Sequence, residues 1–370
     1  MIDPAADLLP EGLADRLPHS AAAAARMERA VLEVLDAHGY DRVRPPLIEF
    51  MQSMAQRMAG VQTRHLCRFV DPRSLRTLAL RSDITPQVGR IAATTLAQAP
   101  RPLRLCYAGQ VARLAGDQLD PRRETLQLGG ELIGSDAVAA AAEIVELAIA
   151  SLSAAGASGV SVDFTLPDLV DTLAAHEFPL DQGQIEAVRR ELDAKDAGAL
   201  REVGGEAYVP LLYASGPFAE AIEKLAAIDA RGALASRIAG LREIAGRIAG
   251  GARVTLDPSE RHGFEYQSWF GFTLYAEGVR GALGRGGTYR IGGSNEVATG
   301  FSLYPEALIE AAEGAAPRRQ AVFLPLGHDG AAAARLRAQG WRSVAALDDA
   351  DGAVALGCTH TLEGTEPKPL

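Results

Sequence analysis

Three positions carry side chains that accept hydrogen bonds and could hold a ligand together: Asp83, Gln127 and Glu131. Carboxylates and an amide oxygen accept from groups such as an ammonium or an imidazole ring, which donate. These residues would therefore form an acceptor-rich pocket, unless they only cross-link strands. Tyr107 and Tyr266 would close the pocket with a ring and a hydroxyl, or else pack in the core.

The chain has no recognisable motif for a metal or for a phosphate loop. Its seven histidines are dispersed without an HxxxH pair, and its three cysteines form no CxxC. The glycine cluster at 281–293 lacks the GxxxxGK[ST] spacing and the helix that should follow it. We expect no metal and no cofactor, and the glycines predict a close backbone approach near a pocket floor.

Composition indicates a folded protein, and the three scattered cysteines, Cys67, Cys106 and Cys358, fit a reducing cytoplasm. The chain has 370 residues, 48% of them hydrophobic and 23% charged, enough for two or three packed units. Its 37 basic and 47 acidic side chains give a net charge of −10, which argues against a broad nucleic-acid surface. Asp3 and Asp7 lie where a signal peptide would need basic residues, and no run is apolar enough to span a membrane.

Apolar periodicity predicts one helix near the amino terminus, capped by Ser20 and ended by Gly39. Its apolar stripe comprises Met27, Val31 and Leu35. The segment 41–50 reads as extended, but its proline pair excludes a central strand there. We therefore expect an edge or an interface.

The next segments predict an antiparallel sheet. Residues 66–70 and 75–80 flank the turn sequence DPRS and form a hairpin. Thr85 and Pro86 supply a helix cap and a first-turn proline. The runs 103–113 and 125–133 read as two further antiparallel strands.

The predicted fold class is α+β, an antiparallel sheet flanked by helices. We assign the core to residues 1–165 and 251–314, and a helical insert to 166–250, where helix-favouring residues dominate. Strand signals return at 253–256, 266–276 and 298–303, and a helix follows at 305–312. Residues 317–370 read as a short α/β segment in the order strand, helix, strand.

This order of segments resembles the core of class II aminoacyl-tRNA synthetases of the histidyl type, from about Leu8 to Leu308. YDRVRPPLIEF at 40–50 resembles motif 1, the dimer-forming unit, and LRSDIT at 80–85 resembles the LRPE/D-x-T segment. Residues 105–113 and 123–134 resemble motif 2, ERHGFEYQ at 260–267 resembles the RGLDYYTG loop, and 298–308 resembles motif 3. Five ordered motifs are a specific signal.

The resemblance implies a histidine-like pocket. Its acid at Asp83 would meet the amino group, Gln127 and Glu131 would contact the amino acid, and Arg113 stands at the motif 2 arginine. The implied ligand-binding set is Asp83, Thr85, Arg113, Gln127, Glu131 and Tyr266. Arg113 could instead bind another anion or pair with Glu131 inside the core.

Three departures from the family pattern argue against catalysis. Ala115 replaces an acid, Ala307 replaces the motif 3 arginine, and His262 replaces the loop arginine unless a one-residue shift gives Arg261 that role. Each charged hydrogen bond contributes about 1.5 to 3 kcal/mol, so these losses should remove adenylate formation. Trp269, at a glycine position of the family, would crowd the pocket floor.

A chain with this motif pattern and these losses resembles a paralogous family, the regulatory subunits of short-form ATP phosphoribosyltransferase. That enzyme acts in the first step of histidine biosynthesis. The resemblance implies a chain without catalysis of its own, assembled with the catalytic subunit and conferring histidine sensitivity. It also implies a homodimer through motif 1, where Arg42, Arg44 and Glu49 supply self-complementary polar groups.

Two other functions stay open at this point. One is a divergent histidyl-tRNA synthetase, and the other is a stand-alone sensor of histidine or RNA. Binding of tRNA is not expected, because the segment after Pro317 is about half as long as the family's anticodon-binding domain. The arginines of that segment are more typical of a solvated face.

Overall fold

The computed structural model describes residues 8–57, 66–116, 120–261, 267–294, 296–312 and 320–370. The chain divides into two compact units, Met1–Glu313 and Gly314–Leu370. The helices are α1 Pro18–Ala37, α2 Met51–Arg57, α3 Thr85–Ala93, α4 Val138–Ala154, α5 Leu169–His176, α6 Gln182–Asp193, α7 Ala197–Glu202, α8 Phe218–Ile228, α9 Ala235–Ile248, α10 Glu306–Ala312 and α11 Gly330–Ala338, with a 3-10 helix at Glu206–Tyr213. The strands are β1 Asp41–Arg42, β2 Ile48–Phe50, β3 Arg68–Val70, β4 Thr77–Leu80, β5 Leu103–Ala112, β6 Glu124–Ile133, β7 Ser161–Thr165, β8 Gly216–Pro217, β9 Arg253–Leu256, β10 Gln267–Tyr275, β11 Gly284–Arg290, β12 Val297–Leu303, β13 Ala321–Leu324, β14 Arg342–Ala345, β15 His360–Glu363 and β16 Glu366–Pro369.

A nine-stranded mixed sheet in the larger unit has the order β1-β5-β6-β12-β11-β10-β7-β9-β8. From β5 through β7 every neighbouring pair is antiparallel, which confirms the prediction for the centre of the sheet. The prediction is wrong near the flanks, where β1 and β5, and β7 and β9, run parallel. A parallel pair requires a long crossover, and the helices α5 to α9 lie in the connection from β7 to β9.

The two faces of this sheet carry separate cores. One face packs against α1, α4 and the helices of the β7 to β9 connection, so buried side chains such as Val31, Ile144 and Ile244 share one cluster with Phe272 and Phe301. The other face packs against α3 in a smaller cluster, and this second face carries the polar site described below. The helical connection thus packs directly on the sheet, and its boundaries as an insert stay a prediction.

Helix α1 has the predicted apolar stripe, with Met27, Val31 and Leu35 all buried. The helix begins at Pro18, earlier than predicted, and the Ser20 hydroxyl donates to the Leu17 carbonyl at 3.1 Å from inside the first turn. Thr85 likewise opens α3 as a helical residue and is not its cap. In both cases a proline lies in the first turn, and the cap precedes the predicted one, at Leu17 for α1 and at Ile84 for α3.

The predicted hairpin is present in a three-stranded sheet of order β2-β4-β3. Asp71 holds its turn by accepting from the Arg73 backbone N–H at 3.1 Å and the Ser74 hydroxyl at 2.6 Å. Strand β1 is an edge of the large sheet and β2 is an edge of the small one. The edge prediction for residues 41–50 is confirmed.

The second unit, Gly314–Leu370, contains a sheet of order β14-β13-β15-β16. The predicted strand, helix and strand correspond to β13, α11 and β14, and β15 and β16 were missed because their short polar sequences carry no periodic apolar signal. The glycine cluster of the larger unit contains a strand that the sequence did not predict, β11. Its glycines do allow a close backbone approach, since an added Cβ at Gly286 would lie 2.6 Å from the Gly300 carbonyl oxygen and one at Gly287 would lie 2.4 Å from the Phe270 carbonyl oxygen. No helix of the described residues is long and apolar enough to cross a bilayer.

Candidate functional site

Strand register brings the predicted polar residues to one face of the large sheet. Glu131 of β6 lies opposite Gly300 of β12, and Gln127 lies four residues earlier on the same face because side chains alternate along a strand. Tyr107 of β5 and Ser302 of β12 both pair with the intervening position of β6. Four side chains from three adjacent strands therefore converge.

Gln127 ties this face to the segment that precedes α3. Its Nε2 donates to Asp83 Oδ1 at 2.7 Å and to Ser302 Oγ at 2.8 Å. Its Oε1 accepts from the Ile84 backbone N–H at 2.9 Å, and Asp83 Oδ1 also accepts from the Thr85 N–H at 2.9 Å. Asp83 and Gln127 therefore fix each other, and their roles in ligand binding stay predictions.

Glu131 is only 1% exposed and is held by hydroxyl groups. It accepts from Tyr289 at 2.9 Å and from Tyr107 at 3.2 Å. The Tyr107 hydroxyl also lies 2.9 Å from Ser302 Oγ and 3.1 Å from Thr85 Oγ1. We call this connected set the Glu131 network, which comprises Asp83, Thr85, Tyr107, Gln127, Glu131, Tyr289 and Ser302.

Two glycines make room for this network. A Cβ added at Gly300 would lie 1.7 Å from Glu131 Oε2, and a Cβ added at Gly129 would lie 2.6 Å from the Tyr107 hydroxyl oxygen. Neither distance is compatible with the present packing, so glycine is required at both positions. These strand glycines form the floor of the site.

The electrostatics of the Glu131 network are those of acids without a base. Burial raises the pKa of Glu131 to about 8, and the nearby charge of Asp83 acts in the same direction. Burial also raises the pKa of Tyr107 well above its usual value, with help from both carboxyl groups. Among the described residues, no Arg, Lys or His forms an ion pair with either acid. Burial without a counter-ion therefore favours the neutral, protonated form of Glu131.

Arg113 does not join the Glu131 network. Its side chain is exposed, and its backbone N–H donates to the Arg123 carbonyl at 2.7 Å. The alternative in which Arg113 pairs with Glu131 inside the core is wrong, because Glu131 is buried between two tyrosine hydroxyls. Tyr266, the sixth predicted ligand residue, lies outside the described residues, as does His262.

Arg261 and Trp269, two further residues expected near the pocket, both contact helices of the β7 to β9 connection. The Arg261 backbone N–H donates to Asp193 at 3.0 Å and its guanidinium lies 3.8 Å from Glu186, so Arg261 contacts α6. The Trp269 ring packs on helix α9, where an added Cβ at Gly240 would meet it at 3.2 Å. The prediction that Trp269 crowds the ligand pocket is therefore wrong, because the indole fills a helix-to-sheet gap.

The position corresponding to the motif 3 arginine is part of the core. Ala307 packs against the main hydrophobic cluster. Its neighbour Glu306 is buried, accepts from the Leu126 backbone N–H at 2.5 Å and pairs with Arg16 at 2.6 Å. The described part of this segment presents an acid and an alanine, so it supplies no cation for a triphosphate.

Sequence analysis missed two members of the Glu131 network, Tyr289 and Ser302. Both lie two residues from a strand glycine, Gly287 for Tyr289 and Gly300 for Ser302, and therefore on the same face as that glycine. An alternating pattern of glycine and hydroxyl residues was the available signal. Because no strand is predicted over residues 284–290, the sequence gives Tyr289 no face to share with Ser302.

A separate groove of about 490 Å³ lies beside α1, β1 and β5 and shares no residue with the Glu131 network. Within it Arg42 pairs with Glu28 at 3.0 Å, and the Cys106 thiol donates to the Tyr40 carbonyl at 3.4 Å. Among the described residues, no three His, Cys, Asp or Glu side chains cluster in a way that could hold a metal ion.

Comparison with known proteins decides the family. A family model described as histidyl-tRNA synthetase matches residues 12–308. A Rhodospirillum centenum protein named ATP phosphoribosyltransferase regulatory subunit is 42% identical over 98% of this chain and 96% of its own length. A protein of the same name from Paramagnetospirillum magneticum is 42% identical over 96% of each chain. The chain belongs to the ATP phosphoribosyltransferase regulatory subunit family.

Solved structures agree on the fold of this regulatory-subunit family member. A Bacillus halodurans C crystal structure, described as an ATP phosphoribosyltransferase regulatory subunit/histidyl-tRNA synthetase, covers 96% of the chain with a TM-score of 0.82 at 24% identity. Histidyl-tRNA synthetase from Nostoc sp. PCC 7120 covers 96% with a TM-score of 0.76 at 14% identity. The predicted synthetase-like fold class is thereby confirmed.

Proposed function

We propose that this chain is the non-catalytic regulatory subunit of a short-form ATP phosphoribosyltransferase. It binds the catalytic subunit, is required for that subunit's activity and makes it sensitive to histidine. One structural contrast carries the proposal. The Glu131 network holds four of the predicted amino-acid ligands, Asp83, Thr85, Gln127 and Glu131, whereas the position of the motif 3 arginine is Ala307, packed in the core. Such a site suits recognition of an amino acid without its activation.

The proposed effector site uses the predicted residues Asp83, Thr85, Gln127 and Glu131. The ammonium group of histidine would contact Asp83 and the Gln127 amide oxygen, and its imidazole ring would contact Glu131. In the free chain these groups satisfy one another, so histidine must replace existing hydrogen bonds. Since only the difference contributes to affinity, binding should be moderate and reversible, as feedback control requires.

Arg113 and Tyr266 complete the proposed site as peripheral members. The exposed Arg113 guanidinium is placed near enough to Tyr304 to lower the pKa of that phenol, which is otherwise raised by burial. It is therefore available for the effector carboxylate without leaving the surface. Tyr266 keeps the role implied by the family resemblance.

We also propose a homodimer through the motif 1 segment, with Arg44 as its principal polar contact. Arg42 already pairs with Glu28, and Glu49 pairs with Arg90, so these groups are satisfied within one chain. Arg44 is exposed and has no ion-pair partner among the described residues. Arg44→Glu should therefore weaken a dimer measured by light scattering, whereas Arg42→Gln should weaken it less.

The function is tested by reconstitution. The chain is copurified with a short-form catalytic subunit, and phosphoribosyl transfer to ATP is measured with and without histidine. We expect activity to require both chains, and Asp83→Asn to reduce histidine sensitivity at least tenfold while lowering basal activity less. Glu202→Gln, an exposed change on α7, should leave both properties unaltered.

Two outcomes would refute this function. Full activity of the catalytic subunit alone, insensitive to this chain, removes the regulatory role. Histidine-dependent exchange of pyrophosphate into ATP by the isolated chain would instead identify a working synthetase. Coupling between the effector site and the partner's active site is a free energy, so histidine affinity should change when the catalytic subunit binds its own substrates.

A further inference from the structure

Glu131 is a buried acid that no base neutralises. Its side chain is 1% exposed, and the described groups that hydrogen-bond its two oxygens are the hydroxyls of Tyr107, Tyr289 and Thr85. Moving an ionised carboxylate into such surroundings without a cation is costly, and the second acid, Asp83, adds repulsion. The carboxyl group therefore carries a proton before any ligand arrives.

The groups that face Glu131 come from every element around it. Strand β5 contributes Tyr107, β11 contributes Tyr289, the segment before α3 contributes Asp83, and α3 contributes its first residue, Thr85. Through the sheet, Glu131 also acts on Tyr40, which pairs with Glu143 and Arg104 on the other face. Within the described residues this set holds hydroxyls and acids but no base in contact with the Glu131 carboxyl.

We infer that Glu131 acts as a neutral acid that shares its single proton with the imidazole ring of the bound effector, and thereby selects that ring. The inference rests on the proposed histidine site. Before binding, the proton is on a Glu131 oxygen. In the complex it lies between that oxygen and one ring nitrogen, so no proton is exchanged with solvent and no covalent bond to carbon changes.

The selectivity follows from donor and acceptor complementarity. A neutral imidazole has one N–H donor and one bare nitrogen acceptor, and a neutral carboxyl group likewise has one donor and one acceptor oxygen. The ring nitrogen accepts the Glu131 proton, while its N–H can donate to the hydroxyl of Thr85 or Tyr107. An ionised carboxylate could only accept, so the bare ring nitrogen would have to take a hydroxyl proton from Tyr107 or Thr85 and break a hydrogen bond of the Glu131 network.

A shared single proton predicts a window of pH for effector binding. Free imidazole has a pKa of about 6.5, and the pKa of Glu131 is raised to about 8. Between these values the two partners together hold one proton. Below the window both are protonated, and above it neither is. In each direction the dissociation constant should rise about tenfold per pH unit, since one proton must first be lost or gained.

The experiment is calorimetric titration of the full chain with histidine from about pH 5.5 to pH 9.5. We expect the tightest binding between about pH 6.5 and pH 8. Glu131→Gln keeps the size of the side chain but cannot pass a proton to the ring. The variant should bind histidine more weakly. Its affinity should not decline near pH 8, and should fall only at the higher pH at which the amino group of the ligand loses its proton.

A second measurement does not depend on a folded variant. In chain labelled with 13C-glutamate, one carboxyl signal of the free protein should titrate near pH 8, far above the others, and saturation with histidine should remove that titration. A decline above pH 8 that is identical in Glu131→Gln, or a Glu131 signal that titrates near pH 4.5, overturns the inference alone. No histidine binding at any pH overturns the proposed effector site as well.

Discussion

Replacement of Gly300 by alanine tests whether the packing of the Glu131 network has the consequence we assign to it. The new methyl group would lie 1.7 Å from Glu131 Oε2 and 2.4 Å from Glu131 Cδ. The carboxyl group cannot retreat into solvent, because it is 1% exposed and held by Tyr289 at 2.9 Å. Gly300→Ala must therefore displace the side chain and break that hydrogen bond.

The magnitude follows from two contributions. Overpacking a dense interior costs about 1 to 3 kcal/mol. Loss of the bond from Tyr289 to Glu131 adds about 1 kcal/mol, since the buried hydroxyl finds no water. The free energy of unfolding of the larger unit should fall by about 2 to 4 kcal/mol. Histidine binding should weaken with it.

Urea unfolding followed by tryptophan fluorescence provides the measurement. Of the two tryptophans, Trp269 lies in the larger unit and Trp341 in the second, so a Trp341→Phe background makes the signal specific. Gly246→Ala is the matched control, because Gly246 is exposed in α9 and an added Cβ meets nothing within 4 Å. This control should gain about 0.5 to 1 kcal/mol from helix propensity. Equal stability of Gly300→Ala and the parent would refute our account of the site floor.

Three further predictions concern the framework of the fold. Hydrogen bonds from the Arg104 guanidinium and the Tyr40 hydroxyl hold the pKa of Glu143 below its usual value, although partial burial acts in the opposite direction. The carboxylate therefore stabilises the fold above pH 4.5, and this effect is lost as the pH falls through the lowered pKa. The stability difference between the parent and Glu143→Gln should therefore shrink in acid denaturation below pH 4.5, and a constant difference would contradict the ion pair. Glu306→Gln should lower the free energy of unfolding, measured in urea, by about 2 kcal/mol, because it weakens a charged hydrogen bond from the buried Leu126 N–H. An unchanged free energy of unfolding would contradict this role of the Glu306 carboxylate. Asp181→Ala removes the capping box of α6 and should cost about 1 kcal/mol, with Asp181→Asn as the milder control in the same assay.

The sequence was sufficient for elements in which a single periodicity dominates. The stripe of α1 and the paired runs that became β5 and β6 carry regular apolar signals, and both were predicted. It was insufficient where tertiary packing overrides local preference. Strand β11 is rich in glycine, which disfavours strands locally, yet it is paired on both sides and its glycines admit neighbouring side chains.

Some features of the site could likewise be predicted from the sequence, and others could not. Asp83, Gln127 and Glu131 could be predicted to lie together because motif order implies their strands, and the structure places them in one network. Their roles in ligand binding stay predictions. The protonation of Glu131 could not be predicted, since it depends on burial and on Tyr289 reaching across from β11. The position of Arg113 at the surface likewise depends on where β5 ends.

The position of β12 has a consequence for how the chain is made. Among the strands of the large sheet it is the last to leave the ribosome, yet it lies in the middle, between β6 and β11. Until residue 303 has been synthesised, the facing edges of those two strands have no partner, and such edges invite association with other nascent chains. We therefore expect the large sheet to close late in synthesis, once β12 has emerged and while the second unit is being made, and chaperone depletion to affect the yield more than codon changes in the first half of the gene.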